Sequence, residues 1–217
     1  MMELNEALYT TRAMRRMRPD PIPQEVEARI LDAAIRAPSG GNSQQWRFVL
    51  VDDGQTKAQL GPWYRQHVAW AWDTIYRDRL DVARDDPDDP DNAALLRMQR
   101  SVSHLADNFE QTPLLMLPFV RSDVAGESIF PAVWSAMLAA RADGVGSALT
   151  TLLNRSQDEV AQLLGVPPDR GWRLACCVAF GYPRGRWGLA VRRPAHEVAA
   201  RNRWDEPLGY EIPEPLW

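Results

Sequence analysis

Apolar positions recur along the chain with two distinct periods. Val26, Ile30, Ala33 and Ala34 lie at helical spacing and predict an amphipathic helix from Gln24 to Ala37, ahead of Pro38. Trp46 to Val51 combines aromatic and β-branched residues in an unbroken run, as a buried strand does, and Pro113 to Val120 and Trp172 to Phe180 read the same way. Residues 57 to 82 read as helix and carry Trp63, Tyr64, Trp70, Trp72 and Tyr76, a stripe that ordinarily means packing. Further helices are expected over Ala93 to Phe109 and Ser128 to Asp143. The second of these is ended by Gly144-Val145-Gly146-Ser147 ahead of a short extended piece, Ala148 to Leu153. Ser156-Gln157-Asp158-Glu159 has the form of a capping box opening one more helix, with Gly165 as its stop. Residues 3 to 13 suit a first helix, and Pro19, Pro21 and Pro23 end whatever follows it.

With 217 residues and neither a repeat nor an evident linker, the expected organisation is one domain over 1–217, able to bury its own core. Residues 195–217 form an extension whose Trp204, Tyr210, Ile212 and Trp217 cannot make a core alone, so they are expected to pack on the domain or on a partner subunit.

Charge narrows the function classes. Acidic residues outnumber basic ones and the formal net charge is -4, which argues against a nucleic-acid partner; the local arginines must answer a smaller anion. No apolar run approaches the roughly 20 residues of a bilayer span. The start of the chain lacks the pattern of a secretory signal, so no membrane association and a cytoplasmic location are expected. Cys176 and Cys177 are adjacent and read as small core residues. The acidic run Asp85 to Asp91 lacks the glycine and terminal Glu of a calcium loop, and His67, His104 and His196 are dispersed, so no metal is expected.

Two segments carry candidate chemistry. Arg12, Arg15, Arg16 and Arg18 crowd one short stretch, and guanidinium groups suit phosphate and anionic oxygens; a solvated basic surface would look the same. The loop Ala37-Pro38-Ser39-Gly40-Gly41-Asn42-Ser43-Gln44 supplies glycines for close backbone approach and hydroxyl and amide groups for a planar heterocycle, or it is simply a helix-to-strand turn. Neither a phosphate loop nor a Gly-x-Gly-x-x-Gly motif is present, and no nucleophile with its base is evident.

Taken in order, Thr11-Arg12-Ala13-Met14-Arg15-Arg16, Pro21-Ile22-Pro23, Pro38-Ser39-Gly40-Gly41-Asn42-Ser43-Gln44-Gln45-Trp46, Gly144-Val145-Gly146-Ser147, Leu164-Gly165-Val166-Pro167, Gly181-Tyr182-Pro183 and Val191-Arg192-Arg193-Pro194 resemble the signature of the nitroreductase family over about residues 7 to 195. The resemblance implies an α+β fold, with a central mainly antiparallel sheet flanked by helices, in an intertwined homodimer that binds FMN at the subunit interface. Arg12 and Arg15 match the flavin-gripping basic positions, with Ala13 offering backbone contacts; Thr11 stands where Arg is frequent, which leaves open which arginine meets the phosphate. Arg192 matches the late basic residue that closes on the phosphate. Asn42 matches the amide that contacts the isoalloxazine, and Pro38 and Ser39 approach the ring edge from the same or the other subunit. Leu149, Thr150 and Thr151 match the segment whose backbone runs beside the ring.

The implied activity is FMN-dependent oxidoreduction: NADPH or NADH reduces the flavin, and a flat electrophile such as a nitroaromatic or quinone is the small-molecule electron acceptor, by ping-pong exchange through one pocket. The cofactor carries the chemistry, so no catalytic acid–base residue is assigned. Trp63 to Tyr76 falls where the family builds its substrate lid, and reads equally as core. Alternatives are a non-catalytic FMN-sequestering protein, a reductive dehalogenase, which the absence of Lys after Lys57 in the lid region disfavours, or a flavin-cleaving enzyme.

Overall fold

The computed structural model describes residues 2–123, 125–212 and 215–216. Its centre is β2 (Leu114–Val120), buried along its whole length. It pairs antiparallel with β1 (Trp46–Val51) on one side, and on the other with β4 (Arg173–Leu174) and β5 (Cys177–Gly181); β3 (Gly146–Thr150) pairs with β5. Every pairing between strands is antiparallel, as the resemblance implied.

Because side chains alternate across a strand, β2 serves two cores. Leu114, Met116 and Val120 pack with α2 (Gln24–Ala34) and α6 (Ile129–Ala142), whereas Leu115, Leu117 and Phe119 pack with α3 (Gly54–Thr74) and α5 (Pro90–Asp107). Adjacent Cys176 and Cys177 fall into opposite cores, fully buried, and burial pushes the Cys176 thiol up to about 12; both are inert packing residues. Leu80 and Ala83 of α4 (Arg77–Asp85) form a small satellite cluster with Leu95.

The expected strand Trp172 to Phe180 is broken. Its pairing with β2 slips by one residue between Phe119–Leu174 and Met116–Val178, which is a bulge. The cause lies in β2 itself. The Pro118 carbonyl accepts from Ala175 N–H at 2.8 Å, so the proline nitrogen, which has no hydrogen, faces the same edge; a regular ladder there would lack a donor. The bulge in turn orients the turn after β3, since Asn154 Nδ2 donates to Ala175 O at 2.9 Å.

Residues 57 to 82, expected as one helix, divide into α3 and α4 around Ile75 and Tyr76. The capping box at Ser156 does not form: α7 (Gln157–Leu163) has no side-chain cap, because the Ser156 hydroxyl pairs instead with buried His67 Nε2 at 2.8 Å. Asp89, from the acidic run, caps α5 by accepting from Asp91 and Asn92 N–H at 3.0 Å, and no cluster suited to a metal occurs among the described residues. Among those residues, too, no helix is long and apolar enough to cross a membrane.

The first helix, α1 (Leu4–Thr10), stops three residues short of expectation. The Thr11 hydroxyl donates back to Ala7 O at 2.7 Å, and from there the chain runs extended along the sheet rather than as helix. Ala13 bridges Ser147 in parallel, Met14 N–H donates to Ser147 O at 2.8 Å, and Met17 bridges Pro183. Two glycines facing each other across β3 and β5, Gly146 and Gly181, make room for this. A Cβ on Gly146 would fall 2.8 Å from Met14 Cβ, and one on Gly181 would fall 3.0 Å from Met17 Cβ. The methionines lie on the bare glycine backbone, and Arg15 is held between them.

The extension beyond Pro194 folds back on itself through an Ala200–Pro207 bridge and leaves Trp204 92% exposed, with Val198 and Tyr210 also exposed. Trp217 lies outside the described residues.

Candidate active site

Arg15 lines a cavity of about 350 Å³ between α3, α5 and the end of β3. Leu149, Thr150 and Thr151 form its β3 wall, Tyr64 and Trp72 project from α3, Tyr76 from the turn between α3 and α4, and Met98, Val102 and Leu105 close the α5 side. Four positions expected from the resemblance therefore share one cavity. The aromatic stripe divides: Tyr64, Trp72 and Tyr76 face the cavity, whereas Trp63 packs on the core and Trp70 lies 3.5 Å from the Arg155 guanidinium carbon.

The electrostatics are one-sided. Arg15 is partly buried and forms no ion pair among the described residues, and loss of water pulls its pKa down from the usual arginine value, with Tyr64 acting weakly the other way. No carboxylate or amide side chain lines the cavity; its polar side chains are Arg15, Tyr64, Trp72, Tyr76, Thr150 and Thr151. A guanidinium and an indole can only donate, and an un-ionised phenol donates readily. The Trp72 indole nitrogen is buried without a partner. Such a lining suits a flat ligand whose edge is rich in acceptors.

Arg12 and Ala13 lie on the same extended segment. In a parallel bridge centred on Ala13 the hydrogen bonds come from its neighbours, so its own N–H and C=O turn away from the sheet. The Arg12 side chain is exposed, and among the described residues its Nη2 donates to Arg186 O alone, at 2.8 Å. Arg192 lines a separate groove of about 820 Å³ with Tyr9, Thr11 and Trp134, which shares no residue with the Arg15 cavity, and its Nη1 donates to the neighbouring Val191 carbonyl at 2.8 Å.

The loop is built but stands apart. Gly41 at φ 58°, Asn42 at φ 54° and Gln44 at φ 48° hold left-handed backbone, costly for the two non-glycines. Side-chain bonds offset the strain: Ser39 Oγ accepts from Gln44 N–H at 3.2 Å, and Gln44 Nε2 donates to Asn42 Oδ1 at 3.1 Å. Pro38 and Ser39 line a polar depression of about 750 Å³ with Arg121, Asp123 and Ser128, which shares no residue with the Arg15 cavity. Within one chain Pro38, Ser39 and Asn42 are not brought to the arginines. The exposed apolar side chains Phe130 and Trp134 of α6, Leu8 of α1 and Ile35 after α2 remain uncovered.

Sequence reasoning missed the α5 wall. Val102 and Leu105 of α5 were visible as an i, i+3 apolar pair, but nothing local distinguishes a cavity wall from core.

Comparison with known proteins agrees with this geometry. The nitroreductase family matches the chain over residues 8–182. The 5,6-dimethylbenzimidazole synthase of Rhodospirillum rubrum is 31% identical over 213 residues, covering 90% of this chain and 93% of that protein. A BluB-like flavoprotein from Clostridium difficile superposes with TM-score 0.68 at 19% identity, covering 92% of this chain and 99% of that one. The FMN-dependent nitroreductase NfnB of Mycobacterium smegmatis, solved with NADPH, superposes with TM-score 0.65 at 21% identity over 92% and 97% of the two chains. An antiparallel sheet between two helical layers, an arginine strand laid over paired glycines and a family match across four fifths of the chain lead to one conclusion: the protein is a member of the nitroreductase family.

Proposed function

We propose that the chain is an FMN-dependent oxidoreductase that takes reducing equivalents from NADPH or NADH and passes them to a small, flat acceptor. The observation that carries this reading is Arg15: a partly buried guanidinium with no carboxylate partner among the described residues, in a cavity whose lining there holds no carboxylate or amide. Removing a cation from water without pairing it is unfavourable, and an acceptor-rich ring edge relieves that cost. FMN fits the residues present. Arg12 and Arg192 would hold its phosphate, Arg15 its pyrimidine edge and Ala13 its flank, and the backbone of Leu149 to Thr151 would run beside the ring. When bound, the flavin supplies two-electron chemistry between a nicotinamide and an acceptor.

Pro38, Ser39 and Asn42 would complete the site from a second subunit, since in their own chain Pro38 and Ser39 line a separate depression and Asn42 belongs to the same loop. A homodimer would also cover Phe130 and Trp134, and the 195–217 extension would serve as an arm on the domain or the partner. A location in the reducing cytoplasm is part of the same proposal.

The specific likeness to 5,6-dimethylbenzimidazole synthase favours a second reading, in which the bound flavin is itself consumed. One experiment separates the two. The purified flavoprotein is mixed anaerobically with NADPH or NADH, then with a nitroaromatic or a quinone, and in parallel with air. Bleaching near ~450 nm, the usual flavin absorption, followed by repeated turnover with the electrophile supports the reductase. Loss of flavin absorbance with release of a benzimidazole on aeration supports the second reading. Bound flavin that neither nicotinamide bleaches refutes the reductase.

A further inference from the structure

Arg141, near the end of α6, is the only arginine buried among the described residues, at 5% exposed. A cation removed from water is unfavourable unless its charge and its donors are answered, and here three partners answer them. Nε donates to Thr10 Oγ1 at 2.9 Å and Nη2 to Glu6 Oε1 at 3.1 Å, both on α1, and the guanidinium carbon lies over the Trp187 ring at 4.0 Å from its centroid. A lysine could not do the same, because only a planar guanidinium donates from its edge while it stacks on its face. The half-exposed Glu6 carboxylate neutralises the charge, so Arg141 is not itself an anion site.

The stack fixes the stretch that follows β5. Residues 182 to 190 run back along the arginine-bearing segment: Arg18 N–H donates to Tyr182 O and Arg184 N–H to Arg16 O, each at 2.8 Å, and Ala190 N–H donates to Tyr9 O at 3.1 Å. Trp187 lies in this run between the two residues that touch Arg12. Arg12 Nη2 donates to Arg186 O at 2.8 Å, and a Cβ on Gly188 would lie 3.9 Å from the same nitrogen. A guanidinium has five N–H donors, so Nη1 and Nε of Arg12 are left for a ligand while the group is held in one orientation. We propose that Arg141 and Trp187 are positioning residues for Arg12: the buried guanidinium holds the indole, the indole holds the backbone from Arg186 to Gly188, and that backbone pre-orients the Arg12 guanidinium for the phosphate of FMN. The inference rests on the FMN reading, and it accounts for a charge on α6 at a buried position that an apolar side chain could fill.

The test compares FMN with riboflavin, the same ring and ribityl chain without the phosphate, by fluorescence titration of the full-length protein freed of flavin. The readout is the ratio of the two dissociation constants, which is the tightening that the phosphate contributes. In Arg141→Met and in Trp187→Leu this ratio should fall about three- to tenfold, as expected for loss of a partly desolvated cation–π contact, while riboflavin affinity stays at the wild-type value. Trp187→Phe keeps an aromatic face and should retain most of the ratio. Arg12→Ala should lower the ratio further than either, and adding Arg141→Met to it should lower it no more, because the pair acts through Arg12. Trp187 is only partly buried, so Trp187→Leu carries the test if Arg141→Met does not fold. A purely structural Arg141 would weaken both flavins alike, and that result overturns the inference. So does a ratio that Arg141→Met lowers equally with Arg12 absent, or one that falls as far in Trp187→Phe as in Trp187→Leu. A wild type that binds neither flavin, or binds both equally, removes the phosphate reading and the inference with it. An Arg12→Ala that lowers the ratio, while Arg141→Met and Trp187→Leu leave it unchanged, removes only the role given to Arg141 and Trp187.

Discussion

Replacing Arg15 with Met tests the site most directly, because it should move two quantities in opposite directions. The methionine keeps the unbranched stem that packs at the cavity and removes only the guanidinium. In the wild type that group is desolvated without a carboxylate partner among the described residues, so the empty protein gains nothing from its charge. Apoprotein stability should hold or rise. With FMN present the guanidinium has its acceptor, and a charge-assisted hydrogen bond contributes about 1.5–3 kcal/mol. Taking about 2 kcal/mol, FMN binding weakens roughly 30-fold. At a concentration 100 times the wild-type Kd the ligand stabilises the fold by about 2.7 kcal/mol; with Kd 30-fold higher it stabilises by only about 0.9 kcal/mol. Quenching of FMN fluorescence on titration gives the two dissociation constants, and thermal melts with and without FMN give the stabilities. A variant whose apoprotein melts several degrees lower with FMN affinity intact would show Arg15 to be a structural residue and refute the reasoning.

Arg12→Ala and Arg192→Ala should each weaken FMN retention about 10- to 100-fold, the worth of a charge-assisted phosphate contact, and full flavin content after gel filtration of both variants would count against the phosphate site. Gly146→Ala should cost roughly 1–3 kcal/mol in a denaturant melt, because the new Cβ meets Met14 Cβ at 2.8 Å, and should loosen FMN by displacing the strand that carries Arg15; a melt equal to wild type would mean the methionine shifts without cost. Burial, and secondarily Arg155, hold the His67 pKa below the ordinary value of 6.5, so the unfolded chain takes up its proton first. Stability from this residue is complete above about pH 6.5 and is lost as pH falls from there through the folded-state value. His67→Gln should flatten that part of the pH–stability curve, and an unaltered acid limb would remove His67 as its source.

Several features of the site were legible in the residues because they depend on local chemistry. Helical spacing and the glycines of the loop made the helix, loop and strand from Gln24 to Val51 readable directly, although the helix ends at Ala34, three residues before the Ala37 expected from Pro38, and β2 was readable from its unbroken apolar run. Other features depended on partners distant in the chain. The capping box at Ser156 was a sound local reading that a competing bond to His67, far away in sequence, displaced. The strand through Cys176 broke because Pro118 on a neighbouring strand offers no donor. Where the arginines begin, helix propensity gave way to Gly146 and Gly181, which open a surface that only an extended segment can cover.

The order of motifs from Thr11 to Pro194 by itself determined the family and the donor groups available to a cofactor, because glycine, proline and arginine carry their geometry and charge with them. The tertiary structure decided which of those groups meet. It put Arg15, Tyr64 and Thr150 around one cavity, kept Pro38 and Ser39 in another, and separated the aromatic stripe into Trp63 and Trp70 for packing and Tyr64, Trp72 and Tyr76 for the cavity. Convergence of this kind depends on the angle at which α3 and α5 cross the sheet. Side chains of α3 and of the C-terminal part of α5 packed against the sheet set that angle, and no short stretch of sequence contains it.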